Sequence, residues 1–244
     1  MRKKNSNQLI SITRKFSESI NELSFSSPVT LVYNPLEYAS KVFDSYLSKY
    51  SSGKKKAIFL GMNPGPWGMA QTGIPFGEVR MVRDWLGIKQ KVLKPKNENP
   101  KRPILGFDCN RSEVSGARLW GFFKNHFEQA EDFFENFFVL NYCPLLFFDK
   151  DLKNLTPDKL KKSDTQILFQ LCDGYLRQVQ LALNADCWIG VGAFAAQRAK
   201  RAFADSQNIE VFSILHPSPA NPQANRGWAS VATRQLAEHG INLC

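Results

Sequence analysis

Residues 57–77 read AIFLGMNPGPWGMAQTGIPFG, and their character changes abruptly after the first four. Ala57-Ile58-Phe59-Leu60 is a short, continuous apolar run, the pattern of a strand covered on both faces. Gly61, Gly65, Gly68, Gly73 and Gly77 then alternate with Pro64, Pro66 and Pro75, so no helix can follow directly. A buried strand therefore feeds an irregular loop whose backbone can approach a flat ligand closely. Within it, Asn63 can donate and accept hydrogen bonds, and Phe76 offers a π-face between Pro75 and Gly77.

Two further apolar runs repeat the pattern, Phe137-Phe138-Val139-Leu140 ahead of Asn141 and Cys187–Val191 ahead of Gly192, and Ile209–Leu215 ahead of His216 reads as a fourth strand of buried type. Between and before them lie segments of helical period. These are expected at roughly 7–24, 36–50, 79–86, 112–127 with Ser115 as N-cap, 156–183 starting at Thr156-Pro157, 193–203 and 227–239. Thr30–Tyr33 reads as a further short strand and 89–103 as an aperiodic surface loop, while residues 1–8 are expected to fray. Leu119, Phe122, Phe123 and Phe127 keep helical spacing, which assigns them to the core rather than to a stacking platform for bases.

Buried strands alternating with helices predict an α/β single domain over residues 1–244. Its centre is a mainly parallel four-stranded sheet flanked by helices on both faces, with residues 1–50 as a helical extension packed on a 56–244 core. In such sheets ligands bind beyond the carboxyl ends of the strands. Asn63, Asn141, Gly192 and His216 all stand there, so two amides and an imidazole should converge on one edge.

Composition narrows the chemistry. The chain of 244 residues carries 32 Lys and Arg against 22 Asp and Glu, a formal charge of +10, which favours a polyanionic partner and nucleic acid above all. Part of the excess is local, in Lys54–Lys56, in six basic residues between Lys89 and Arg102, and in Lys159, Lys161 and Lys162. Cys109, Cys143, Cys172, Cys187 and Cys244 are widely spaced with no C-x-x-C pair, and there are three histidines. That pattern suggests reduced thiols, an intracellular and soluble protein, and neither metal nor iron–sulfur centre. No apolar run is long enough to span a membrane, and no signal-peptide core opens the chain. The strand ends hold no acidic pair, no G-x-S-x-G elbow and no phosphate-binding glycine loop. What remains suits an uncharged heterocycle, stacked on Phe76, read by Asn141 and supported by His216 as negative charge develops.

GMNPGPWGMAQTGIPFG, EVSGARLWGFF, NYCPL and HPSPANPQANRGW, in that order, resemble the motifs of the single-strand-selective monofunctional uracil-DNA glycosylases, a branch of the uracil-DNA glycosylase superfamily. The resemblance runs from about Lys56 to the end. It implies a hydrolase that cleaves the N-glycosidic bond of uracil in single- or double-stranded DNA without a cofactor. The enzyme would act as a monomer, in the cytoplasm of a bacterium or the nucleus of a eukaryote, and would leave an abasic site for base excision repair. Asn63 would position the attacking water, and His216 would support the departing uracil anion. Phe76 and Asn141 would hold the base, Asn141 excluding cytosine. Backbone groups around Met62, with Gly65 and Met69 at the C5 edge, would set tolerance for 5-substituted uracils such as 5-hydroxymethyluracil. The loop from Pro217 through Ser218 and Pro219 to Asn225 and Arg226 would fill the vacated stack and grip the backbone. Two positions depart from the family pattern: Ala220 replaces a basic residue found in some members, and Trp67 stands where phenylalanine is usual. The same neutral pocket leaves two alternatives open, a glycosylase for xanthine, hypoxanthine or mismatched thymine, and a damaged-DNA-binding protein without chemistry.

Overall fold

Every residue of Ala57–Gly61, Phe137–Asn141 and Cys187–Val191 is buried, as runs without a polar face require. The computed structural model describes residues 2–206 and 208–243. Cys244, one of the five cysteines, lies outside them, and the other four are buried free thiols.

In chain order the elements are α1 (Arg2–Asn21), β1 (Leu31–Tyr33), α2 (Pro35–Tyr38), α3 (Ser40–Tyr50), β2 (Ala57–Gly61), α4 (Met69–Thr72), α5 (Val114–His126) and α6 (Ala130–Asn136). Then come β3 (Phe137–Asn141), β4 (Leu146–Phe148), β5 (Asn154–Leu155), α7 (Lys162–Leu183), β6 (Cys187–Val191), α8 (Ala193–Ala202), β7 (Glu210–Ile214), α9 (Pro222–Asn225) and α10 (Trp228–Ala237).

The central sheet has the order β3-β2-β6-β7 with every pair parallel. Its register sets Gly61 beside Asn141 and Val191 beside Ile214, so the four carboxyl ends are level. The chain leaves β2 towards β3 through α5 and α6, then returns past β2 to β6 through α7 and on to β7 through α8. Right-handed crossovers running in opposite directions put those helices on opposite faces. The loop after β2 thus parts from its neighbours', opening a crevice at the sheet's switch point. β7 is an edge strand, and its exposed Glu210 and Ser213 alternate with buried Phe212 and Ile214.

Several sequence expectations change. The first helix starts at Arg2 rather than near residue 7, because polar residues show no apolar period yet continue a helix readily. The 36–50 helix is two, parted at Ala39. Residues 81–85 form one π-helical turn. The 156–183 helix divides into a 3-10 turn at Pro157–Lys159 and α7, since Leu160 and Lys161 are extended. Ser115 does not cap α5; Glu113 does, its carboxylate accepting from the N–H groups of Ser115 and Gly116. The apolar residues after Pro144 add an antiparallel sheet, β1-β4-β5, that no periodicity announces. Leu119, Phe122 and Phe123 are core residues as expected, and Trp120 joins them. Leu9, Phe16 and Ile20 of α1 enter the same core, with Phe16 stacked on Tyr175 of α7.

Candidate active site

The level carboxyl ends of the sheet floor a cleft of about 400 Å³ lined by Asn63, Phe76, Asn141 and His216, among others. Gly61 makes this convergence possible. A Cβ there would overlap Asn141 Oδ1 and stand 2.5 Å from Phe76 Cε2, so only glycine lets the amide and the ring meet over the strand end. Phe76 itself has φ +54°, a left-handed conformation that costs a non-glycine residue about 1–2 kcal/mol. Its setting is enforced nearby, where Trp120 Nε1 donates to Pro75 O at 3.2 Å and Phe76 O accepts from Glu78 N at 2.7 Å. Strain maintained by surrounding contacts is a mark of functional sites.

His216 lies 6.0 Å from Phe76, ring centre to ring centre. Its Nδ1 accepts the Ser218 N–H at 3.1 Å, so the neutral ring carries its proton on Nε2. Burial lowers its pKa to about 4, which keeps it neutral at physiological pH. The site therefore offers an uncharged N–H donor. Asn63, which lines the cleft, donates from Nδ2 to Leu145 O and Pro64 O, both at 3.4 Å, leaving Oδ1 as an available acceptor. Asn141 is 5% exposed; its Nδ2 donates to Met69 Sδ at 3.2 Å, while its Oδ1 is buried without a partner. A buried acceptor left unpaired costs about 1–3 kcal/mol, and a ligand N–H would remove that penalty.

Met62, Gly65 and Met69 also line the cleft, but Met69 directs its thioether at Asn141. Ser218 and Pro219 form part of the wall, whereas buried Pro217 and exposed Asn225 and Arg226 do not. The Asn225 amide is engaged at both ends, donating to Pro219 O at 2.8 Å and accepting from Arg118 at 2.9 Å. Arg226 is exposed and makes no side-chain bond to the described residues.

Sequence reasoning missed Arg118, Glu113, Asn154 and Thr156. Arg118 of α5 donates to Pro217 O at 3.0 Å and to Asn225, strapping both ends of the 217–225 loop. Glu113 lines the cleft, and burial raises its pKa. Both lie within EVSGARLWGFF, where only the apolar spacing and the serine were read. Asn154 and Thr156 reach the cleft through the second sheet, which had no local signal.

The basic runs divide by position. Lys54–Lys56 precede β2 and so sit at the amino edge of the sheet, opposite the cleft. Lys55 is 1% exposed and donates to Ser52 O and Phe134 O, and Lys54 pairs with Asp186. Lys55 is thereby structural and Lys54 is ion-paired, while Lys56 is exposed. In 89–103, Lys94 pairs with Glu98, Lys96 with Glu37, and Arg102 donates to Leu152 O. Lys159, Lys161 and Lys162 are exposed and follow the cleft-lining Thr156. Among the described residues no group of three His, Cys, Asp or Glu side chains could hold a metal ion.

Residues 48–237 match the family model of the uracil DNA glycosylase superfamily. The chain is 49% identical over 229 residues to the single-strand selective monofunctional uracil-DNA glycosylase of Rattus norvegicus, covering 93% of this chain and 82% of the relative. It is 50% identical to the Bos taurus protein of that name, covering 93% and 84%. The crystal structure of wild-type Pedobacter heparinus SMUG2 superposes with a TM-score of 0.66 at 17% identity, over 94% of this chain and 97% of that one, a likeness of fold. The chain belongs to the single-strand selective monofunctional uracil-DNA glycosylases, a branch of the uracil DNA glycosylase superfamily.

Proposed function

We propose that this protein hydrolyses the N-glycosidic bond of uracil in DNA and leaves an abasic site. The observation that carries the reading is the unpaired, buried Oδ1 of Asn141, set against Phe76 and on the same cleft as Asn63 and a neutral His216. An extruded uracil stacked on Phe76 would give its N3–H to that oxygen and its O4 to the second hydrogen of the Asn141 NH₂ group. Cytosine presents the reverse pattern and would leave both groups opposed.

As the glycosidic bond breaks, electron density collects on the base and positive charge on the sugar. The Nε2–H of His216 is a preorganised neutral donor for the base's carbonyl oxygen, and a single donor of this kind contributes about 100- to 1,000-fold. Asn63 Oδ1 would accept from a water and hold it for attack on the sugar carbon. Among the described residues no amine lines the cleft, which supports water as the nucleophile and an abasic site left without strand cleavage. Gly65 contributes no side chain to its wall, which supports tolerance of 5-substituted uracils. DNA is the partner, and one lesion occupies one cleft, so a monomer suffices. Among the described residues no helix is long and apolar enough to cross a membrane; an intracellular site of action follows from the substrate.

The test is a single-turnover assay on a labelled single strand with one central deoxyuridine, run with EDTA. Breakage only after alkali is expected. An intact strand after long incubation and alkali overturns the proposal, and breakage before alkali removes its monofunctional part.

A further inference from the structure

A primary amide can turn either end towards a neighbour, and Asn141 stands where that choice selects the base. Its oxygen and NH₂ are nearly equal in size, so a half-turn about Cβ–Cγ would exchange a uracil reader for a cytosine reader. Most of the surroundings cannot tell the two ends apart. Gly61 offers no side chain, and Phe76 brings an aromatic edge. Among the described residues, Met69 Sδ is the one hydrogen-bond partner of either end, 3.2 Å from Nδ2.

We propose that Met69 is a positioning residue that fixes the polarity of the Asn141 amide, and through it the choice of uracil over cytosine. A thioether sulfur accepts a weak hydrogen bond and donates none. With Nδ2 towards Met69, one hydrogen is held by sulfur and the other remains for the base, while Oδ1 faces the ligand as an acceptor. After a half-turn, Oδ1 and Sδ would set lone pairs against each other between two buried side chains. Met69 is 2% exposed and begins α4 directly after Gly68, so its backbone is tied to the loop that forms the cleft. The contact is weak, but it bears on a group with no competing partner, where a modest bias between two orientations is worth about tenfold in their ratio.

This inference rests on the uracil-excision reading, and the experiment separates the two. Met69→Leu keeps volume and apolar character but removes the acceptor. Wild type and variant are compared in single-turnover excision of uracil and cytosine from otherwise identical single strands, and in binding of free uracil and free cytosine. The expected result is a fall of about tenfold or more in the uracil-to-cytosine ratio, in both rate and binding. An unchanged ratio, even with both rates reduced, overturns the role given to Met69. A wild type that binds free uracil over cytosine yet cuts neither strand defeats the excision reading alone. Should the variant not fold, the wild type still decides: a nuclear Overhauser contact between the Asn141 side-chain NH₂ and the Met69 methyl is expected, and its absence overturns the proposal.

Discussion

His216 shows how a small geometric detail sets the chemistry. Because Nδ1 is occupied by the Ser218 N–H, protonating the ring would set two donors against each other, which reinforces the effect of burial. With a pKa of about 4 in the folded protein against an ordinary 6.5, the unfolded chain takes up the proton first. The corresponding stability is fully present above about pH 6.5 and declines as pH falls towards 4, by on the order of 3 kcal/mol, which denaturant melts over that range will read. On the same ground, kcat/KM should show no inflection near pH 6.5; an acid limb centred there would contradict the neutral donor. His216→Ala should slow single-turnover cleavage by about 100- to 1,000-fold while DNA affinity changes only a few-fold. Asn63→Ala should behave alike, since in the proposed reaction its oxygen would act on water rather than on the DNA. Equal losses in rate and affinity for Asn63→Ala would mean that it binds substrate instead.

Among the elements, α5 links the cleft to the loop beyond His216. Its first turn carries Glu113 and Ser115 on the cleft wall, and one turn further on Arg118 holds Pro217 and Asn225. Opening a duplex needs a loop already ordered to enter the stack, whereas a single strand presents the base with less resistance. Arg118→Ala should therefore lower kcat/KM on duplex uracil about tenfold more than on single-stranded uracil. Matched assays on the two substrates check this, and Arg118→Lys should restore part of the loss. Glu113 also illustrates why this element was only partly legible. The apolar spacing of Leu119, Phe122 and Phe123 marks the helix and its buried face, but N-terminal residues compete for the cap, and the choice between Glu113 and Ser115 rests on backbone geometry.

Across the whole molecule, two charge arrangements have separate tasks. Under the site, Arg198 of α8 pairs with Asp173 of α7 at 2.6 Å, and both bond the hydroxyl of Tyr142, the residue after Asn141. This buried network ties the end of β3 to two helices on one face. Asp173→Ala would leave Arg198 short of its counter-charge and should destabilise the fold by about 3 kcal/mol in a denaturant melt. On the surface, Arg226 is exposed at the end of the loop that follows His216 and makes no side-chain bond to the described residues. Arg226→Ala should weaken DNA binding and lower the slope of log affinity against log salt by about one, as the loss of one phosphate contact does. An unchanged slope would place Arg226 off the DNA.

The parallel sheet and the position of its site were legible because three strands buried on both faces are continuously apolar and the edge strand β7 keeps an apolar face, and each of the four stops at a glycine, asparagine or histidine that the sheet then brings to one edge. Asn63, Asn141 and His216 are strand-end residues, so their convergence follows from parallel pairing alone. Tertiary structure alone decided what surrounds them: the β1-β4-β5 sheet, the strap from Arg118, the burial of Lys55 and the thioether against Asn141. Each depends on which distant segments meet. Local propensity reports a residue's backbone preference; it does not report the partner that packing will set 3 Å away.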